Sequence, residues 1–252
     1  MVRTSAIETE TGARFETVRS AASACLVLAL AACWAGGGAG PPLRAPGVAG
    51  ESYFPMVAGT RWVYEVRAFM HTSRLEVAAR GIEDVRGAPA PLFLVEERSQ
   101  GGPAGFDDDG FAGYFVADGY VQRLSFLSED PDGSVRLVGS EPNRVLPVAP
   151  TAGQRWEERS HVFTTPESVG GAQLWRAEVD DVPAVRVPAG RFDDVVMVRS
   201  AYLDPTVSDE PLVTYEDVYA RGVGLVRSVS RNHQAPFFAD QVEQRLVEVV
   251  FP

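Results

Sequence analysis

Arg61-Trp62-Val63-Tyr64-Glu65-Val66-Arg67-Ala68 is the stretch that decides how this chain folds. Trp62, Tyr64, Val66 and Ala68 fall on one side of an extended backbone, and Arg61, Glu65 and Arg67 on the other. A period of two is a strand with one dry and one wet face, because successive strand side chains point to opposite sides of the sheet. Leu75, Val77 and Ala79 alternate with Arg74 and Glu76 in the same way, and Trp175, Ala177 and Val179 with Arg176, Glu178 and Asp180. Further strands are expected over 91–98, 112–118, 120–127, 135–139, 154–164, 192–203, 212–220, 223–231 and 240–250. Asp118-Gly119, Asp132-Gly133 and Gly170-Gly171 suit tight hairpins. No helical stripe of useful length follows residue 50. Strands with one wet face, joined by short turns, make an antiparallel sheet. The expected fold class is all-β, mainly antiparallel: a strongly curved sheet, a half-open barrel or a two-sheet sandwich.

Upstream, Arg19 precedes an apolar run from Ala21 to Ala32 broken only by Ser23 and Cys25. The run has 12 residues, short of the roughly 20 that cross a bilayer. It ends in Leu30-Ala31-Ala32-Cys33, which resembles the lipobox of a bacterial lipoprotein signal. The resemblance implies cleavage before Cys33 and lipid attachment, palmitate included, on its thiol. Residues 1–18 are long for a charged leader and carry Glu8, Glu10 and Glu16; a start at Val18 would leave a compact signal. Residues 34–50 are rich in Gly, Ala and Pro and read as a flexible tether. The expected division is a signal peptide over 1–32, the lipidated Cys33 and tether over 33–50, and one β-rich domain over 51–252.

Composition narrows the function. The net charge of −11 repels phosphate backbones, so nucleic acid is not an expected partner. The basic residues are all Arg, which GC-rich codon usage accounts for. The two cysteines, Cys25 and Cys33, both precede the domain, so disulfides, thiolate metal sites and cysteine nucleophiles are not expected in it. His71, His161 and His233 lack neighbours at ligand spacing. Asp107-Asp108-Asp109-Gly110 fails the EF-hand template, since Val116 stands where Glu is needed; it reads as an acidic turn, with a weak calcium site over 107–109 as the alternative. Ser128 to Gly139 fails similarly, with Gly139 at the Glu position. Catalytic motifs of the serine-hydrolase and zincin kinds are missing, and no cofactor is expected. The adjacent pairs Glu157-Glu158, Asp180-Asp181 and Asp193-Asp194 point to opposite faces if they lie on strands, so none grips one substrate jointly.

Ala58-Gly59-Thr60-Arg61-Trp62 recurs 94 residues later as Ala152-Gly153-Gln154-Arg155-Trp156, and Tyr114 to Val121 loosely matches Val218 to Leu225. The match reads as a common way to start a strand rather than as two related halves.

Tyr53-Phe54-Pro55 with Gly59 and Trp62-Val63-Tyr64, Val187-Pro188-Ala189-Gly190-Arg191-Phe192, and Tyr219-Ala220-Arg221-Gly222-Val223-Gly224-Leu225-Val226 follow one another along the domain. In these phrases the chain resembles uncharacterised bacterial exported lipoproteins. The resemblance implies a curved antiparallel sheet reminiscent of lipoprotein-carrier half-barrels, and an envelope location; it implies no activity. Read physically, Pro188-Ala189-Gly190 is a turn that delivers Phe192 into the next strand, and Gly222 and Gly224 mark a bulge or a close backbone approach.

The expected function is a membrane-anchored envelope lipoprotein acting as a non-catalytic binding or scaffold module. The alternatives are a carrier or acceptor of lipid or another hydrophobic ligand, and a carboxylate-dependent hydrolase. Its expected partners are the membrane, through the anchor on Cys33, and a hydrophobic ligand or envelope protein. Trp34, where Asp would favour inner-membrane retention, points to the outer membrane. Replacing Cys33→Ser should abolish labelling by a clickable fatty acid and release the protein from the membrane fraction, because stable anchoring needs more than one acyl chain. Equal labelling of the Ser variant would contradict the assignment.

Overall fold

The computed structural model describes residues 52–68, 71–101, 109–138, 141–165, 168–205, 208–233 and 241–252, without the side chains of 126 and 160–172. The expected signal peptide, Cys33 and the expected tether lie outside the described residues. The strands are β1 (Arg61–Ala68), β2 (His71–Glu83), β3 (Leu92–Gln100), β4 (Gly110–Ala117), β5 (Tyr120–Glu129), β6 (Val135–Leu137), β7 (Asn143–Pro147) and β8 (Arg155–Thr165). They continue as β9 (Ser168–Asp181), β10 (Val185–Val187), β11 (Gly190–Phe192), β12 (Val195–Leu203), β13 (Val213–Ala220), β14 (Gly224–Asn232) and β15 (Gln241–Val250). Apart from the small β10–β11 hairpin, all belong to one 13-stranded antiparallel sheet in the order β6-β5-β4-β3-β2-β1-β15-β14-β13-β12-β9-β8, with β7 also on β5. The protein is all-β, and its sheet does not close into a complete ladder.

The first and last described strands pair in mid-sheet, Trp62 opposite Val249 and Val66 opposite Gln244. The two edges come together at β7 and β8, where the Arg144 N–H donates to the Glu158 carboxylate at 2.8 Å. Tyr120 and Trp156 pack across the same junction as tilted rings with centroids 5.4 Å apart, and Arg144 sits over the Tyr120 ring. Side chains, not a ladder, therefore hold the edges of this half-open barrel together.

The Ala-Gly-x-Arg-Trp recurrence is structural. Gly59 and Gly153 adopt φ of 79° and 81°, a backbone that favours glycine. The Gly59 N–H donates to Ala79 C=O and the Gly153 N–H to Val179 C=O. In return, Ala79 donates to Thr60 and Val179 to Gln154. Read from its β8 edge, the sheet runs β8, β9, β12, β13, β14, then β15, then β1 to β5, so one strand succession occurs twice. This corrects the reading of the match as a common way to start a strand. The signal was faint because only the turn geometry, not the strand packing, constrains residue identity.

Antiparallel partners share a face, which fixes the interior. Trp62 pairs with Val77, Val77 with Glu97, Phe93 with Tyr114 and Tyr114 with Arg123. Trp62, Tyr64, Val77 and Val179 are fully buried. A second cluster, Leu92, Leu94, Leu124 and Leu127 with Val85 and Val135, covers the outer face under the 84–91 connection.

Three expectations need correction. Gly170-Gly171 lies inside β9, whose pairing with β8 already includes Thr165 opposite Ser168, so the glycine pair is not the hairpin turn. Phe192 belongs to the separate β10–β11 hairpin rather than to the following strand. β7 adds a strand where the sequence shows no clear alternation. Asp118-Gly119 forms the expected tight turn, with φ of 53° and 78°.

Trp62→Ala should cost about 3–5 kcal/mol, as for large aromatics in cores. Arg61→Ala removes half-exposed ion pairs to Glu76 and Glu248 and should cost no more than about 1 kcal/mol. Urea denaturation of the two variants checks this; equal losses would contradict the face assignment.

Candidate functional site

Residues 52–60 form an uncharged strap that crosses one end of the sheet before β1. Its start is clamped. The Tyr53 hydroxyl donates to Asp194 Oδ1 at 2.7 Å, Arg221 Nη2 donates to the Tyr53 oxygen at 3.0 Å, and Arg221 Nε donates to Asp194 Oδ2 at 2.8 Å. The Arg221 guanidinium also lies 4.5 Å from the Tyr53 ring centroid. Burial and the Asp194 contact raise the Tyr53 phenol above its usual range. The Gly222 N–H donates to Ser52 C=O at 2.7 Å, with Gly222 at φ 70°, so the glycine here serves a close backbone approach. The clamp thus joins Tyr53-Phe54-Pro55, the turn after Phe192 and Arg221-Gly222. Phe54, carried inward, packs on Tyr114 with centroids 4.8 Å apart.

Beside the strap lies an apolar cleft of about 500 Å³. Phe54, Met56 and Val57 wall one side, Val121 and Leu146 form the other, and Val116 and Val148 stand at the rim. Val116 is 57% and Val148 48% exposed, high values for branched hydrocarbon. The Val148 N–H donates to Gly119 C=O, which ties the two rim turns together. A cleft of this size and lining suits part of a small hydrophobic molecule.

Deeper in the barrel is a polar cluster that alternation alone did not single out. Glu97, Tyr114, Arg123, Asp217, Ser228 and Gln244 share the inner face. Ser228 Oγ donates to Asp217 Oδ1 at 2.6 Å, and Arg123 Nη2 lies 3.8 Å from Glu97 Oε1. The Tyr114 hydroxyl and both polar atoms of the fully buried Gln244 amide make no hydrogen bond among the described residues. Burial pushes the Asp217 carboxyl up to about 6, against the opposing pull of Ser228 and Arg123. Arg123 and Asp217 also act electrostatically on Tyr114 and Tyr219, so opposite walls face each other closely.

The residues singled out from sequence do not converge. Cys33, Asp107 and Asp108 lie outside the described residues, as does the side chain of His161. His71 and His233 are exposed, and His233 Nε2 shares a hydrogen bond with the Thr214 hydroxyl. Asp109 accepts from the Ser99 N–H. Glu157 pairs outward with Arg176 while Glu158 turns to the β7 edge, as strand geometry requires. Asp180 pairs with Arg199, Asp193 with Arg191, and Asp194 joins the clamp.

No protein-family model matches the chain, and no curated protein matches it in sequence. Solved structures do resemble it. A candidate lipoprotein from Parabacteroides distasonis matches at 17% identity and TM-score 0.48, over 79% of this chain and 99% of that one. A candidate exported protein with a YmcC-like fold from Bacteroides fragilis matches at 14% identity and TM-score 0.44, over 79% and 99%. A β-barrel-like domain of unknown function from Brucella abortus matches at 11% identity and TM-score 0.36, over 77% and 97%.

Asp217 gives a pH signature. Its folded value near 6 lies above the unfolded one. Between roughly pH 4 and 6 the folded state holds a proton that the unfolded state has released, so this group's contribution falls as pH rises. The loss by neutral pH is at most about 3 kcal/mol. Asp217→Asn should therefore raise the urea midpoint at pH 8 and leave it near wild type at pH 4; equal effects at both would show that Asp217 titrates normally.

Proposed function

We propose that this chain is a lipid-anchored lipoprotein of the bacterial envelope, held in the outer membrane through Cys33, and that it works by binding rather than by catalysis. The apolar cleft beside the strap carries the reading, with Val116 and Val148 exposed at its rim. Its occupant is a hydrophobic molecule or chain, which favours the carrier or acceptor role over a pure scaffold. The lipobox and the Gly/Ala/Pro tether support the anchor.

The hydrolase alternative has less behind it. Asp217 has a raised pKa, as a catalytic acid would. However, its inner-face neighbours are Arg123, which lies against Glu97, and Ser228, which donates to it. Two carboxylates separated by a cation and a hydroxyl are a balanced structural network rather than an acid–base pair around an open substrate position.

Unacylated protein should carry a bound apolar species in native mass spectrometry, or take up a neutral naphthylamine probe. Val116→Asp and Val148→Asp should each weaken probe binding by about fivefold, the equivalent of about 1 kcal/mol for a half-buried valine. Uncompromised binding in the double variant would remove the cleft from the account.

A further inference from the structure

We infer that the strap end of the sheet rests on the bilayer that holds Cys33, and that the cleft takes an acyl chain from that bilayer. The inference rests on the reading of Cys33 as the anchor. The described chain begins at Ser52, which itself lines the cleft, so whatever precedes it joins the domain at the cleft's edge. The 17 residues 34–50 reach roughly 20–25 Å as a flexible chain. That length keeps this end near the surface without holding it off.

Three of the large hydrophobic side chains exposed among the described residues lie at this same end: Ile82 at 73%, Val116 and Val148. Ile82 is one residue from the end of β2, Val116 one from the end of β4, and Val148 follows β7. The fourth, Val247, is the residue bulged out of the β1–β15 register, three short of the end of β15. Such side chains gain by leaving water for hydrocarbon.

Charge separates the two ends. At the strap end, the connections 118–119, 148–154, 182–194 and 221–223 carry three carboxylates against three arginines, and the strap carries none; the 84–91 connection folds over the outer face, where Arg86 pairs with Asp130. At the far end, the described residues of the β3–β4 and β12–β13 connections carry four carboxylates, Asp109, Asp204, Asp209 and Glu210, and no arginine. Charge chooses between the ends, because carboxylates are repelled by anionic lipid and lose their hydration at an interface. The neutral, valine-rimmed end is the one that tolerates contact.

The test uses the full lipidated chain in phosphatidylcholine vesicles. The anchor thiol is blocked by lipid and Cys25 leaves with the signal, so an introduced cysteine is the single labelling site. An environment-sensitive fluorophore is placed at Val116→Cys, Val148→Cys or Glu210→Cys, the last on the far end. A nitroxide on the lipid acyl chain should remove most emission from the labels at 116 and 148 and leave that at 210 unchanged. Vesicle flotation is scored in parallel. Protein that floats with unquenched labels at 116 and 148, or with the label at 210 quenched, overturns the inference and leaves the anchor standing. Protein that does not float overturns the anchor reading and the inference with it.

Discussion

Tyr53, Asp194 and Arg221 hold each other by three hydrogen bonds and a cation–π contact, and the rest of the strap end depends on them. An exposed Arg–Asp pair contributes little. This one is reinforced by a largely buried tyrosine that both donates to the carboxylate and accepts from the guanidinium, and charge-assisted bonds in such a network are stronger than neutral ones. With Ser52 held at Gly222 and Tyr53 held at Asp194, Phe54 has one place to go, against Tyr114. The strap then both plugs the apolar mouth and supplies one wall of the cleft. The three phrases spread over the domain are distant in sequence because the strap, the 182–194 connection and the β13–β14 turn all lie at one end of the sheet.

The face of nearly every long strand was legible from period two, since burial imposes it directly: Trp62 and Tyr64 in, Arg61 and Glu65 out. What escaped were features whose physics is not periodic. β7 is short and pairs only with the start of β5, so few residues signal it. The β10–β11 hairpin tip is held by the Ala189 N–H on Leu246 C=O, beyond the last paired residue of β14–β15, and no local pattern foretells a long-range backbone bond. The inner polar cluster was within reach of the same alternation. Phe93, Val95 and Glu97 share a parity, as do Tyr215, Asp217 and Tyr219, so both carboxylates fall on the dry face. Which of them meet depends on the curvature of the whole sheet, which alternation does not encode.

The interior is divided along its length. Trp62, Phe93, Val179 and Leu225 fill the strap half with hydrocarbon, while Glu97, Arg123, Asp217 and Gln244 occupy the deeper part. Without a disulfide in the domain, the hydrocarbon half must supply the stability that the polar half costs through desolvation. The open β7–β8 junction adds little, being held by one backbone bond to Glu158 and by aromatic contact. A fold arranged this way keeps its firmest packing next to the cleft and the strap, where a binding surface needs a rigid wall.

Hydrogen exchange of Arg221→Ala tests the central claim, that the clamp holds the strap and thereby shapes the cleft. Peptides covering 52–60 should exchange much faster than in the wild type, while those covering β2 and β3 keep their protection. A strap that stays protected without Arg221, or a sheet that loses protection throughout, would contradict the account.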